Sequence, residues 1–164
     1  MLIYDLTKQE IIDFLKENGY KKYRADQLWH WLYVQKILEF SDINNMPKEI
    51  IDLLSENFKL KALELVVKHE SQDGTLKCLY SLHDGHLIES VLMRQHYGNS
   101  ICVTTQVGCN IGCSFCASGQ LKKKRDLTSG EIIAQIIQTE LILKDRINYV
   151  VVMGIGEPFD NYHH

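Results

Sequence analysis

Cys109, Cys113 and Cys116 stand in the run Gly108-Cys109-Asn110-Ile111-Gly112-Cys113-Ser114-Phe115-Cys116, a Cys-x3-Cys-x2-Cys spacing with no cysteine downstream. Three thiolates can hold three corners of a four-iron cluster and leave one iron without a protein ligand. An open iron accepts a substrate or cofactor, so the pattern points to chemistry more than to scaffolding. Structural zinc is the alternative, but it takes four ligands, commonly in Cys-x2-Cys pairs. Here the fourth would have to be Cys78, Cys102 or a distant histidine, none at such spacing. Ligand count favours iron–sulfur and leaves zinc open.

A second run, Val151-Val152-Met153-Gly154-Ile155-Gly156-Glu157-Pro158, places a glycine-rich turn after an apolar stretch. Such a turn at a strand end lets a ligand lie against backbone, and Glu157 adds an acceptor for an ammonium or hydroxyl group. Taken alone the motif is weak, because Gly-x-Gly turns are common; paired with the cysteine loop it gains weight. The run Lys122-Lys123-Lys124-Arg125 offers four cations for phosphates, or simply a solvated loop.

Positioning these residues requires three kinds of element. Thr7-Lys8-Gln9-Glu10 reads as a capping box opening a helix that Gly19 stops. Ala25, Leu28, Trp29 and Leu32 recur at helical spacing, and Pro47 suits the first position of a third helix. After about residue 61 the period changes. The segments 62–70, 75–82 and 86–94 read as an antiparallel meander, with Asp73-Gly74 and Asp84-Gly85 as tight turns. A strand over 100–107, the cysteine loop, a helix over 129–144 and a strand over 147–153 then give the βαβ order of a parallel sheet. Alternation puts Cys102 with Thr104 and Gln106, facing a barrel or sheet interior. It also puts Glu89 with Leu87, Val91 and Met93, where burial would raise its pKa and suit it to proton transfer. Cys78 has no motif around it and reads as structural.

The chain has 164 residues, 45% hydrophobic and 24% charged, an ordinary globular balance. Its net charge of −3 gives no overall pull toward nucleic acid, so any such surface must be local. No transmembrane run or signal peptide is legible, and five cysteines clustered late argue against a disulfide framework. A reducing cytoplasm is the expected setting.

The cysteine run followed by Gly154-Ile155-Gly156-Glu157-Pro158 resembles the radical S-adenosylmethionine (SAM) superfamily. Tyr23-Arg24-Ala25-Asp26-Gln27, Ile88-Glu89-Ser90-Val91-Leu92-Met93 and Cys102-Val103-Thr104-Thr105-Gln106-Val107-Gly108-Cys109 narrow the resemblance to the dual-specificity RNA adenine-C2 methyltransferases of RlmN type. The resemblance implies an α/β fold with an α+β N-terminal part: a helical accessory domain over 1–61 that helps bind RNA, a β-meander over 62–98, and over 99–164 the first βαβ portion of an incomplete (βα) barrel. It implies a [4Fe–4S] cluster on Cys109, Cys113 and Cys116, SAM contacts from Gly156 and Glu157, a proton acceptor in Glu89, and in Cys102 the thiol that resolves a protein–RNA adduct. Its implied partners are 23S rRNA, tRNA and an electron donor such as a flavodoxin, with a monomeric full-length protein. Family sequences continue beyond the Gly-Glu-Pro motif, while this one stops at His163-His164. The expectation is a shortened chain without the methyl-accepting cysteine and inactive by itself. A non-catalytic iron–sulfur or RNA-binding module, or a structural zinc domain, are the competing readings.

Overall fold

Thr7 begins the first helix as its spacing predicts. In the computed structural model, which describes residues 1–164, the Thr7 hydroxyl accepts from the Glu10 N–H at 3.3 Å, and the Glu10 carboxylate accepts from the Thr7 N–H at 2.7 Å. Helix α1 (Lys8–Glu17) buries Ile11, Ile12 and Leu15, and Gly19 follows its end at φ +84°, where a side chain is disfavoured. Helix α2 (Tyr23–His30) buries Ala25 and Leu28 and runs on as one turn of π-helix, Trp31–Gln35, that brings Leu32 inward. Trp29 is only half-buried, with its ring 4.3 Å from that of Tyr33. Helix α3 (Lys48–Asn57) starts one residue after Pro47, which occupies the cap position, and buries Ile50 and Leu54. These elements form one unit, Met1–Ala62, and Leu63–His164 form a second.

In the second unit, β1 (Leu63–Glu70), β2 (Leu76–Leu82), β3 (Leu87–Gln95) and β4 (Gly98–Cys102) form an antiparallel meander. A small ribbon of β5 (Gln106–Val107) and β6 (Arg125–Asp126) follows, then helix α4 (Ser129–Leu143) and β7 (Tyr149–Val151). Strand β7 pairs parallel to β4, so the main sheet has the order β1-β2-β3-β4-β7. Meander and βαβ strands thus share one sheet. The segment 100–107 is not one strand. Strand β4 ends at Cys102: beyond it Val103, Thr105 and Gln106 bond to Val151, Gly154 and Ile155, the Thr104 backbone bonds to the Gln135 amide of the following helix, and antiparallel pairing resumes only in β5.

The sheet has two unlike faces. Cys78, Tyr80, Leu82, Ile88, Ser90, Leu92 and Ile101 are buried, and the Tyr80 hydroxyl meets Thr139 of α4 at 3.0 Å. Burial pushes the Cys78 thiol and the Tyr80 phenol upward, as for groups held neutral in a core. The other face is open. Lys77 lies opposite Val91, Val91 opposite Cys102, and Cys102 opposite Val151.

Candidate functional site

The cysteine loop leaves the sheet at Val107 and returns at Arg125, and its neck is tied at three points. Lys124 N–H donates to Val107 O at 2.7 Å, Cys109 N–H to Leu121 O at 2.8 Å, and β5 pairs with β6. Gly108 sits at φ +78°, and a Cβ there would lie 2.3 Å from Lys122 O, so only glycine lets the two sides of the neck close. Arg125 locks the returning side. Its guanidinium grips Glu131, 1% exposed at the start of α4, through two bonds of 2.7 and 2.8 Å, and meets Asp84 of the β2–β3 turn at 2.6 Å. The Arg125 hydrogen bond and charge hold Asp84 at about 2, well below the usual carboxylate range.

Beyond the neck the loop faces solvent. All three of its cysteines are free thiols; Cys109 and Cys113 are half-buried and Cys116 is exposed, beside a 91% exposed Phe115. N–H donors from Gly119 and Ser118, with the Ser118 side chain, draw the Cys116 thiol below its ordinary value and favour its thiolate. No three His, Cys, Asp or Glu side chains converge on a point that could hold a single metal ion. A four-iron cluster asks for something else: soft thiolates at separate corners of a cube. Three free thiols on one clamped loop, with glycine freedom at Gly112 (φ +70°), fit that group.

The glycine-rich turn lies against the segment joining β4 to β5. Val103 N–H donates to Val151 O, Gly154 N–H to Val103 O, and Thr105 N–H to Ile155 O, at 2.9, 3.0 and 3.1 Å. A Cβ on Gly154 would meet Val103 O at 2.5 Å, and one on Gly156 (φ +108°) would meet Gln106 at 2.7 Å. Both glycines are therefore required by protein–protein approach before any ligand is considered. Glu157 N–H donates to Gln106 Oε1 at 2.9 Å, and its side chain accepts from Phe159 N–H. Asn161, 7% exposed, closes the turn by donating to Thr105 O and Leu127 O, both at 2.9 Å.

Glu89 and Cys102 share the open sheet face: Val91 separates Glu89 from the position opposite Cys102. The expected burial of Glu89 is not found. Ile88, Ser90 and Leu92 take the covered face instead, and the Glu89 carboxylate is 39% exposed and paired with Lys77 Nζ at 2.8 Å. The basic run is also smaller than it reads. Lys123 binds Asp126 at 2.8 Å and Arg125 is held as above, which leaves exposed Lys122 and Lys124 as its outward cations. Sequence reasoning missed Gln106, Asn161, the Arg125–Glu131 pair, and Gln135, whose buried amide accepts from Thr104 N–H and donates to Thr104 O. Glu131 is legible only as the third residue of the Thr128 capping box, and Gln106 only as part of the quoted motif.

A solved structure described as a radical SAM methyltransferase, from Sphaerobacter thermophilus, superposes with a TM-score of 0.92 at 38% identity, covering 99% of this chain and 49% of that one. The fold is that of this radical SAM methyltransferase over the whole of the present chain. The family model for the ribosomal RNA large subunit methyltransferase N-terminal domain matches residues 2–60. A probable dual-specificity RNA methyltransferase RlmN of Acholeplasma laidlawii is 64% identical over 99% of this chain and 48% of its own length. Its Enterococcus faecalis counterpart is 56% identical over 98% of this chain and 46% of its own length. The chain matches these RlmN methyltransferases over nearly all of its own length, and it spans about half the length of the curated relatives it matches.

Proposed function

We propose that this chain is the cluster- and cofactor-binding part of a radical SAM methyltransferase acting at C2 of an adenosine in 23S rRNA and in tRNA. Adenine C2 lies between two ring nitrogens and is electron-poor, so polar methyl transfer to it is unfavourable. A reduced [4Fe–4S] cluster with SAM would supply the radical chemistry that avoids this. In this reading Cys109, Cys113 and Cys116 hold the cluster, and Gly156 and Glu157 bind the sulfonium cofactor through backbone and carboxylate. Glu89 accepts the C2 proton, and Cys102 resolves the covalent adduct on the same sheet face. Lys122 and Lys124 contribute phosphate contacts, and a helical unit over 1–61 assists RNA binding. The remaining proposed features are an electron donor such as a flavodoxin, a cytoplasmic setting and a monomeric whole protein; no helix is long and apolar enough to cross a membrane.

The observation that supports this most is the common anchoring of the two loops: the cysteine loop and the glycine turn both bond to residues 103–107. Cys78 is 1% exposed on the covered face, so beyond the four assigned cysteines no reactive thiol remains to accept a methyl group. Methylation of RNA by these 164 residues alone is therefore not expected. The test is anaerobic reconstitution with iron and sulfide, followed by electron paramagnetic resonance of the reduced chain. A cluster spectrum that changes on adding SAM supports the reading; one indifferent to saturating SAM overturns the cofactor assignment.

A further inference from the structure

The cysteine loop and the glycine turn are connected by one buried side chain. Gln106 is 0% exposed and carries one acceptor and two donors on its amide. Its Oε1 accepts from Glu157 N–H at 2.9 Å, and its Nε2 donates to Asp126 Oδ1 at 2.7 Å. Asp126 receives Lys123 Nζ at 2.8 Å, and Lys123 also stands 3.9 Å from Asp160 Oδ2. Asp126 and Lys123 belong to the returning neck of the cysteine loop, whereas Glu157 and Asp160 follow the glycine turn. The stem of Gln106 fills the space that a side chain on residue 156 would need. Both polar ends and the apolar stem of one residue thus fix the turn against the neck.

We propose that Gln106 is a positioning residue that sets the Gly156–Glu157 turn at a fixed distance from the cysteine loop, so that a cofactor can touch both. This rests on the reading of Gly156 and Glu157 as SAM contacts. Gln106 acts through Glu157 N–H and touches no substrate itself. A side chain serving only to fill space would tolerate any residue of equal volume. A positioning amide requires the donor–acceptor pattern as well, because a buried N–H without its partner carries the full desolvation cost.

Three variants of the 164-residue chain separate these roles. Gln106→Met keeps the volume and removes both hydrogen bonds. Gln106→Glu keeps the acceptor for Glu157 N–H but sets a second carboxylate against Asp126. The double variant Gln106→Glu with Asp126→Asn restores a donor–acceptor pair with its polarity reversed. Amide hydrogen exchange on the metal-free chain is expected to speed up about tenfold at Glu157 in Gln106→Met. Carboxylate repulsion in Gln106→Glu displaces the side chain and also speeds exchange at Glu157, the double variant returns it toward wild type, and exchange within β2 and β3 stays unchanged throughout. Iron and sulfide uptake is unchanged throughout, while SAM affinity of the reconstituted chain falls about tenfold in Gln106→Met. Unaltered Glu157 exchange in Gln106→Met, or no recovery in the double variant, overturns the proposal. If the wild-type chain loads its cluster but takes up no SAM, the cofactor reading fails, and the exchange data still decide whether Gln106 holds the turn.

Discussion

Gly154 and Gly85 both invite substitution by alanine, yet they occupy opposite situations. Around Gly85 (φ +81°) there is open space, so alanine meets only the left-handed backbone penalty of about 1–2 kcal/mol. At Gly154 the added Cβ would lie 2.5 Å from Val103 O and 2.7 Å from Thr104 Oγ1. Gly154→Ala should therefore destabilise by at least about 2 kcal/mol, and it should also dislodge the turn. Urea denaturation gives the stability difference, and equal losses for the two variants would contradict the packing account. The chemistry of the cysteine run is legible from residue types and spacing alone. The surroundings of Glu89 are not. Strand parity groups it with Leu87, Val91 and Met93, but which parity is covered depends on where α4 lands, and that is a long-range fact.

At the scale of elements, the ends of the cysteine loop are held by ion pairs that are charged at neutral pH. Asp84 lies at about 2 in the folded chain because Arg125 donates to it, below the ~3.9 of an unfolded aspartate. A depressed carboxylate contributes stability above its unfolded value and loses it as pH falls through the folded one. The stability advantage of the native chain over Asp84→Asn should thus be present at pH 6 and largely lost by pH 2, read from urea midpoints at the two pH values. A constant difference would place the contribution elsewhere. Removing Glu131, 1% exposed, leaves the Arg125 guanidinium without its bidentate partner, and Glu131→Ala should cost about 3 kcal/mol or more. Helix α4 was legible from its capping box and the meander from its Asp-Gly turns. The break after Cys102 was not, because Val103, Thr105 and Val107 alternate as a strand would, while the N–H groups of Val103 and Thr105 donate to residues some fifty positions downstream.

Across the whole molecule, a net charge of −3 makes affinity for RNA a matter of local cations. Only Lys122 and Lys124 of the basic run are exposed and outside the ion pairs of Lys123 and Arg125. Replacing either by alanine should weaken RNA binding and flatten its salt dependence by about 0.7 in log–log slope for a single strand. Lys123→Ala should instead disturb the loop neck. Equal salt slopes for all three lysine variants would argue against this division. The central claim is that three thiols on a clamped loop carry a four-iron cluster. Its most direct measurement is iron, zinc and acid-labile sulfide per chain after anaerobic reconstitution, for the native protein and for Cys113→Ala. The account predicts iron and sulfide in equal amounts approaching a full [4Fe–4S] cluster, lost in the variant. Stoichiometric zinc without sulfide, or a cluster retained without Cys113, would contradict it.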